Sequence, residues 1–247
     1  MPLNHSRTLV WAHRGASAYA PENTLEAFSL AIDMKADGIE LDVYLTADGT
    51  LAVHHDPTPE RTTCGACKDA ILTSDFEVLR RFDYNCGREG FSGIKIPALS
   101  EVYALMEPSG LTVNVELKAG GTGFCSAVLD CAEKAGMKDR IIYSSFDHFL
   151  LGELLSLDNT AKVAPLYSFN MMLPWMYGES FGAAALHPHF GQVYALAEYV
   201  TEAHKRDICV NPWTIDDEAN MKRLIDLDCD ALITNRPDAA RTVLGLN

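Results

Sequence analysis

GIELDVYLT (38–46) alternates strictly: Ile39, Leu41 and Val43 fall on one face of a strand, and Glu40 and Asp42 on the other. A strand that is apolar on one side only must bury that side, which makes Ile39, Leu41 and Val43 candidate core. Two carboxylates two residues apart on the opposite face then need an explanation. LTVNVELK (111–118) repeats the pattern, with Val113, Val115 and Leu117 opposite Asn114, Glu116 and Lys118.

Similar runs recur along the whole chain. Besides these two, strands are expected at LVWAH (9–13), RIIYSSF (140–146), KVAPLYS (162–168), AAALHPH (183–189), ICVNPWT (208–214) and ALITNRP (231–237). Helices are expected between most of them, at TLEAFSLAIDMKA, FCSAVLDCAEKAG, DHFLLGELLSLD, YALAEYVTEAHKR and NMKRLIDLD. In the first helix Leu25, Phe28 and Ile32 form the apolar stripe, Asn23 is the expected N-cap, and Glu26 follows three residues on. Gly136 is the expected C-cap after CAEKA. Eight strands alternating with helices over 247 residues fit an α/β (β/α)8 barrel better than an open doubly wound sheet.

The expected organisation is one barrel domain over residues 1–247, with an insertion at about 57–97. That stretch is too long for a routine connection and covers one end of the barrel in this reading. It contains TSDFEVLRRFDYN, where Ser74 and Glu77 have the spacing of a capping box, and the turn-rich CGREGFSG.

In such a barrel the functional face lies at the C-terminal strand ends, and alternate residues point to the axis. There the chain places His13-Arg14, His54-His55-Asp56, Trp213 and Asn235. With Glu40, Asp42 and Glu116 pointing inward, the cost of burying carboxylates calls for a cation. Oxygen donors of this kind suit a divalent ion, Mg2+ or Ca2+. The competing reading is a salt-bridge network in which Arg14 or Lys118 neutralises them.

Taken in order, HRG…PENT, GIELDVYLTADG, LAVHHDPTPERTT, IPALSEV, VNVELK, PWTIDD and ITNRPD resemble the glycerophosphodiester phosphodiesterase family from residue 9 to about 238. The resemblance implies a TIM barrel, a divalent metal, and hydrolysis of glycerophosphodiesters to an alcohol and glycerol phosphate. It implies Glu40, Asp42 and Glu116 as metal ligands, His13 and His55 as the acid/base pair, and Arg14 and Lys118 as phosphate contacts. It places Glu22 near the site, and Trp213 and Asn235 near the glycerol end; Asn23 is explained as a helix cap. The family motif joins His directly to Asp, which selects His55 and leaves His54 structural. Two rival readings are a phospholipase D-like barrel acting on sphingomyelin or lysolipids, and a barrel that binds phosphorylated ligands without turnover.

Composition bounds the partners. A net charge of −14 argues against nucleic acid and anionic membrane surfaces, and no apolar run reaches the roughly 18 residues of a membrane span. MPLNHSRTLVW has no signal-peptide h-region, and seven scattered cysteines fit reduced thiols, so the expected home is the cytoplasm. The expected partner is a small glycerophosphodiester; oligomeric state is not legible. CGAC (64–67) reads as a turn rather than half of a metal site, and His5, His148 and His204 read as solvent-exposed. HPH (187–189) ends a strand and is open to a pocket role. FNMMLPWMYGESF (169–181), without helical period, is open to core packing, to the alcohol end of a substrate, or to a contact surface.

Overall fold

A computed structural model describes residues 7–246. It is a nearly closed barrel of eight parallel strands alternating with helices. In chain order the elements are β1 (Leu9–His13), α1 (Leu25–Asp33), β2 (Gly38–Leu45), β3 (Leu51–Val53), α2 (Phe76–Leu79), α3 (Leu99–Met106) and β4 (Thr112–Ala119). They continue with α4 (Phe124–Lys134), β5 (Ile141–Ser145), α5 (His148–Leu157), β6 (Val163–Tyr167), α6 (Pro174–Ser180) and β7 (Ala185–Pro188). The last are α7 (Phe190–Val193), α8 (Tyr199–His204), β8 (Cys209–Val210), α9 (Glu218–Asp226), β9 (Ala231–Thr234) and α10 (Pro237–Val243).

The ladder runs β8-β7-β6-β5-β4-β2-β1-β9. Its two ends meet through Asp230 N→Val210 O, Ile233 N→Pro212 O and Ile215 N→Ile233 O, each 3.0 Å. β3 stands outside the barrel, antiparallel to β2. His54, His55 and Asp56 therefore leave a hairpin rather than a barrel strand.

Two apolar layers fix which side of each strand faces the axis. Ile39, Leu41, Val43, Val113, Val115 and Leu117 pack outward against helical residues such as Phe28, Val102 and Val128. Val10, Leu186, Val210 and Leu232 do the same against Val200, Met221 and Leu224. The axis is filled at its lower end by Trp11, Ile142, Ala164, Ala185, Cys209, Ala231 and Ile233. Above them the inward positions turn polar: Asn114, Ser144, His187 and Asn211 are all buried.

The segment after β3 carries a small core of its own, with Ile71, Phe76, Leu79, Tyr84, Ile94 and Ile96 around Tyr44 and Ala52. It reaches the C-terminal end of β1 through Arg88, whose guanidinium donates to the Ser17 and Ala18 carbonyls.

Several local expectations change. The N-cap of α1 is Thr24, whose hydroxyl accepts from Ala27 N; Asn23 is not a cap. Ser74 forms no capping box: α2 follows Asp75, and the Ser74 hydroxyl donates to Ala70 O instead. Gly136, at φ +66°, sits one position beyond the cap residue Ala135, where a left-handed backbone ends the helix. Part of 169–181 is helical after all, as α6, which begins at a proline. Neither His148 nor His204 is free in solvent, since His148 bonds Tyr177 and Leu166 O, and His204 pairs with Asp230. His5 lies outside the described residues.

Candidate active site

Register assembles the acidic group. β1 pairs β2 with His13 opposite Glu40, and β2 pairs β4 with Glu40 opposite Asn114 and Asp42 opposite Glu116. Because side chains alternate, these inward residues form two successive levels of the mouth, His13, Glu40 and Asn114 on one and Asp42 and Glu116 on the next. Oxygens of Glu40, Asp42 and Glu116 come within 4.8 Å of one another, all three residues buried.

The two cations nearby do not balance them. Lys118 Nζ lies 2.6 Å from Glu116 and 3.5 Å from Asp42. Arg14 lies 3.4 Å from Asp42 but also bonds Glu22 at 3.0 Å. Burial works to raise the Asp42 carboxyl, yet Arg14 and Lys118 outweigh it and hold Asp42 ionised. Glu40 is pushed well above the ordinary carboxylate range by burial and by its acidic neighbours. Burial and Asp42 together push Glu116 up to about 7. A salt-bridge network thus reaches Asp42 and, through Lys118, Glu116, but gives Glu40 no cationic side chain, so two cations face three buried carboxylates. Asp42 Oδ1 and both amide atoms of Asn114 are buried without a hydrogen-bond partner. Three clustered carboxylates with an orphaned oxygen fit a hard divalent cation, to which each would offer an oxygen.

Asn23 belongs to this site. Its backbone is left-handed at φ +55°, a conformation asparagine tolerates, and its Nδ2 donates to Asp42 Oδ2 at 2.8 Å. The PENT turn therefore orients a carboxylate.

His13 sits in a relay that fixes its tautomer. Asp216 accepts from Asn235 Nδ2 at 2.6 Å and from Asn235 N at 2.9 Å. With the amide so oriented, Asn235 Oδ1 faces His13 Nδ1 at 2.7 Å and accepts its proton. The bare Nε2 is then the nitrogen turned toward Glu40, 3.8 Å away. Burial and the adjacent Arg14 lower the imidazole to about 4, so it is neutral at ordinary pH. Asn235 is thus brought to the site as the orienting partner of a histidine.

His55 is held differently. Its Nδ1 donates to Asp56 Oδ1 at 2.7 Å, which fixes the orientation of the ring. Asp56 also accepts from Arg61 Nε at 2.7 Å, and Arg61 donates to Glu22 with both terminal nitrogens, at 2.8 and 2.7 Å. Glu22 is drawn down to about 2 because Arg61 and Arg14 outweigh the effect of burial. A continuous chain, His55–Asp56–Arg61–Glu22–Arg14, therefore ties the post-β3 segment to β1. His54, buried between Thr62 and the Asp56 carbonyl, holds the loop, as its structural reading expects.

His13, Arg14, Glu40, His55, Asn114 and Glu116 face apolar Phe146, Leu166, Trp213 and Ile233 across a cavity of about 80 Å3. Trp213 is anchored by Nε1–H···O=C to His187 at 2.8 Å. His187 itself is buried below the mouth against Asn211 and Trp11, and His189 caps α7. All seven cysteines are unpaired; in CGAC, Cys64 is exposed and Cys67 buried. Sequence reasoning missed Asn23, Asn114, Asp56, Arg61, Asp216 and Phe146 as site residues. Asp56 and Asn114 carried a signal, one following His55 and the other inward on the Glu116 strand.

A family model described as the Glycerophosphoryl diester phosphodiesterase family matches residues 13–239. The chain is 36% identical to a glycerophosphodiester phosphodiesterase of Caldanaerobacter subterraneus subsp. tengcongensis, over 94% of this chain and 96% of that one. It is 34% identical to another from Bacillus altitudinis, over 94% and 96% of the two chains. Among solved structures, it superposes with a TM-score of 0.87 and 26% identity on an Oleispira antarctica phosphodiesterase in complex with the product sn-glycerol-3-phosphate. That match covers 97% of each chain.

Proposed function

The chain belongs to the glycerophosphoryl diester phosphodiesterase family and is a phosphodiesterase; from that premise we propose that it hydrolyses glycerophosphodiesters to an alcohol and glycerol 3-phosphate, with a divalent metal and two histidines. One observation carries the reading: His13 presents an unprotonated Nε2 and His55 a carboxylate-backed ring to the same small, acid-lined cavity.

Glu40, Asp42 and Glu116 would hold the cation, and an all-oxygen set suits Mg2+ or Ca2+. Bound there, a divalent ion supplies charge neutralisation at the phosphoryl oxygens. The remaining steps fall to side chains. Arg14 and Lys118 draw the anionic phosphate against the acidic wall and offset the charge that builds in the transition state. His13 Nε2 accepts the proton of the attacking hydroxyl, of water or of the substrate glycerol; in the second case the alcohol leaves a cyclic glycerol phosphate, whose ring water then opens to glycerol 3-phosphate. As the ester P–O bond breaks, His55 gives its proton to the leaving oxygen, and Asp56 steadies the ring before transfer. Glu22 and Arg61 keep Arg14 and Asp56 in place. Trp213 and Phe146 close the apolar side.

One barrel domain over the whole chain, with the segment at about 57–97 as its insertion, suits this arrangement, because that segment supplies Arg61. Free thiols at all seven cysteines fit a cytoplasmic setting, and no described helix is long and apolar enough to cross a membrane.

The test incubates the purified protein with glycerophosphoethanolamine, glycerophosphocholine and glycerophosphoglycerol, with chelator or with Mg2+, Ca2+ or Mn2+. Metal-dependent release of glycerol 3-phosphate supports the reading. Binding with no turnover under any metal would instead favour a barrel that only holds phosphorylated ligands.

A further inference from the structure

The mouth of the barrel is divided by strand. The ionisable groups that line the cavity, His13, Arg14, Glu40, His55 and Glu116, come from β1, β2, β4 and the loop after β3, whereas its aromatic side chains, Phe146 and Trp213, follow β5 and β8. The apolar half extends well beyond the pocket. Of the nine exposed large apolar side chains among the described residues, six are Phe146, Phe149, Phe169, Met172, Leu173 and Met176. They sit in the two segments that follow β5 and β6, strands that pair in parallel with Ser145 opposite Pro165. Phe149 is 92% exposed and Met172 84%. Single exposed apolar residues need no explanation, but a cluster on neighbouring loops does.

Two facts say what covers it. The cluster is continuous with the site, since Phe146 lines the cavity and meets Trp213 edge-on, with ring centroids 5.5 Å apart. Leu166, Trp213 and Ile233 line the cavity together with Phe146, so its apolar wall adjoins the segments after β5 and β6. A substituent of the second alcohol that leaves over this rim meets apolar side chains, from which a polar group gains nothing. An anionic bilayer is a poor occupant for a protein of net charge −14.

Building on the hydrolase reading, we propose that this shelf binds a single alkyl or acyl chain of the substrate, so that the enzyme prefers phosphodiesters in which one alcohol bears such a chain. The chemistry at phosphorus is unchanged. The chain contributes by leaving water, and the gain scales with the methylenes that reach the shelf.

The test measures glycerol phosphate release from glycerophospho-alkyl diesters with C2, C4, C8 and C12 alcohols, kept below their micellar concentrations. Wild-type kcat/KM should climb by about two- to fourfold per added methylene over part of the series. A Phe149→Ser/Phe169→Ser/Met172→Ser variant should flatten that climb while hydrolysing the C2 ester at the wild-type rate. Good C2 turnover with no chain-length dependence overturns the shelf and leaves the hydrolase reading standing. If no ester is hydrolysed, that reading fails, and calorimetric binding of decyl phosphate decides the shelf separately. Tighter binding to wild type than to the triple variant upholds it, and equal binding overturns it. A flat series together with wild-type-only binding to dioleoylphosphatidylcholine vesicles also overturns it, in favour of membrane docking.

Discussion

Replacing Asn23 by alanine tests the reassignment of the PENT turn from helix cap to carboxylate clamp. Two losses add. The Nδ2–H···Oδ2 bond at 2.8 Å goes to a buried, ionised Asp42, and bonds to charged groups contribute about 1.5–3 kcal/mol. Alanine at φ +55° adds about 1–2 kcal/mol of left-handed strain that asparagine largely escapes. The sum is about 2.5–5 kcal/mol, equivalent to a melting temperature lower by roughly 5–20 °C in a chain of this size. Thr24→Ala removes the cap bond to Ala27 N, 3.2 Å long, and the hydroxyl's bond to Pro21 O at 2.6 Å, together worth about 1–2 kcal/mol. Asn23→Gly should fall between them, since glycine removes the strain but not the lost bond. Differential scanning calorimetry of the three variants at pH 7 ranks them directly. If Asn23→Ala melts above Thr24→Ala, the clamp is wrong and the Asn23 amide contributes little to the fold.

Other expectations follow from the same geometry. His13→Ala and His55→Ala should each lower kcat by about 10^2–10^4-fold with unchanged circular dichroism, and near-wild-type turnover in either would remove that residue from proton transfer. Cation affinity should be proton-linked. Burial and Asp42 raise Glu116 to about 7, so calorimetry should show apparent affinity falling up to about tenfold per pH unit below that value and levelling above it. A saturating cation, at about 100 times its Kd, should add about 2.7 kcal/mol to wild-type stability and far less to Glu116→Gln; equal stabilisation would make the carboxylates structural. Arg61→Ala should sensitise the fold to acid. Glu22 lies at about 2 when folded against an ordinary value of 4.5, so it stabilises above pH 4.5 and loses that contribution as pH falls toward 2. Without Arg61 that window shrinks, and the acid-unfolding midpoint should rise; an unmoved midpoint would show that Arg14 alone holds Glu22.

Alternation and order carried most of the reading. The period of two in GIELDVYLT and LTVNVELK separates a helix-facing apolar set from an inward acidic set, and no tertiary information is needed for that. The eight barrel strands follow from the same signal repeated, because each must bury one face under the helix that follows it. AVHHD looked like another strand end, but only Leu51–Val53 pairs, and in the opposite direction, since a two-stranded ribbon and a barrel strand share one short apolar pattern. Asn23 was misread because an asparagine before an apolar helix has the same local signature whether its amide turns to the backbone or to a carboxylate 19 residues away. Arg61 and Asp216 gave no local signal at all. Their partners, Glu22 and Asn235, become neighbours only when the barrel closes and the post-β3 segment folds back on β1.

The sequence by itself determined the barrel, its inward carboxylates and the residues at the strand ends, because these depend on period and order along one chain. Tertiary structure alone decided the finer chemistry. Which nitrogen of His13 is bare, which carboxylate goes unneutralised, and where the apolar half of the mouth lies are set by distances between strands far apart in sequence. Electrostatics in a buried site falls off over a few ångströms, and only the closed ladder brings those groups that close.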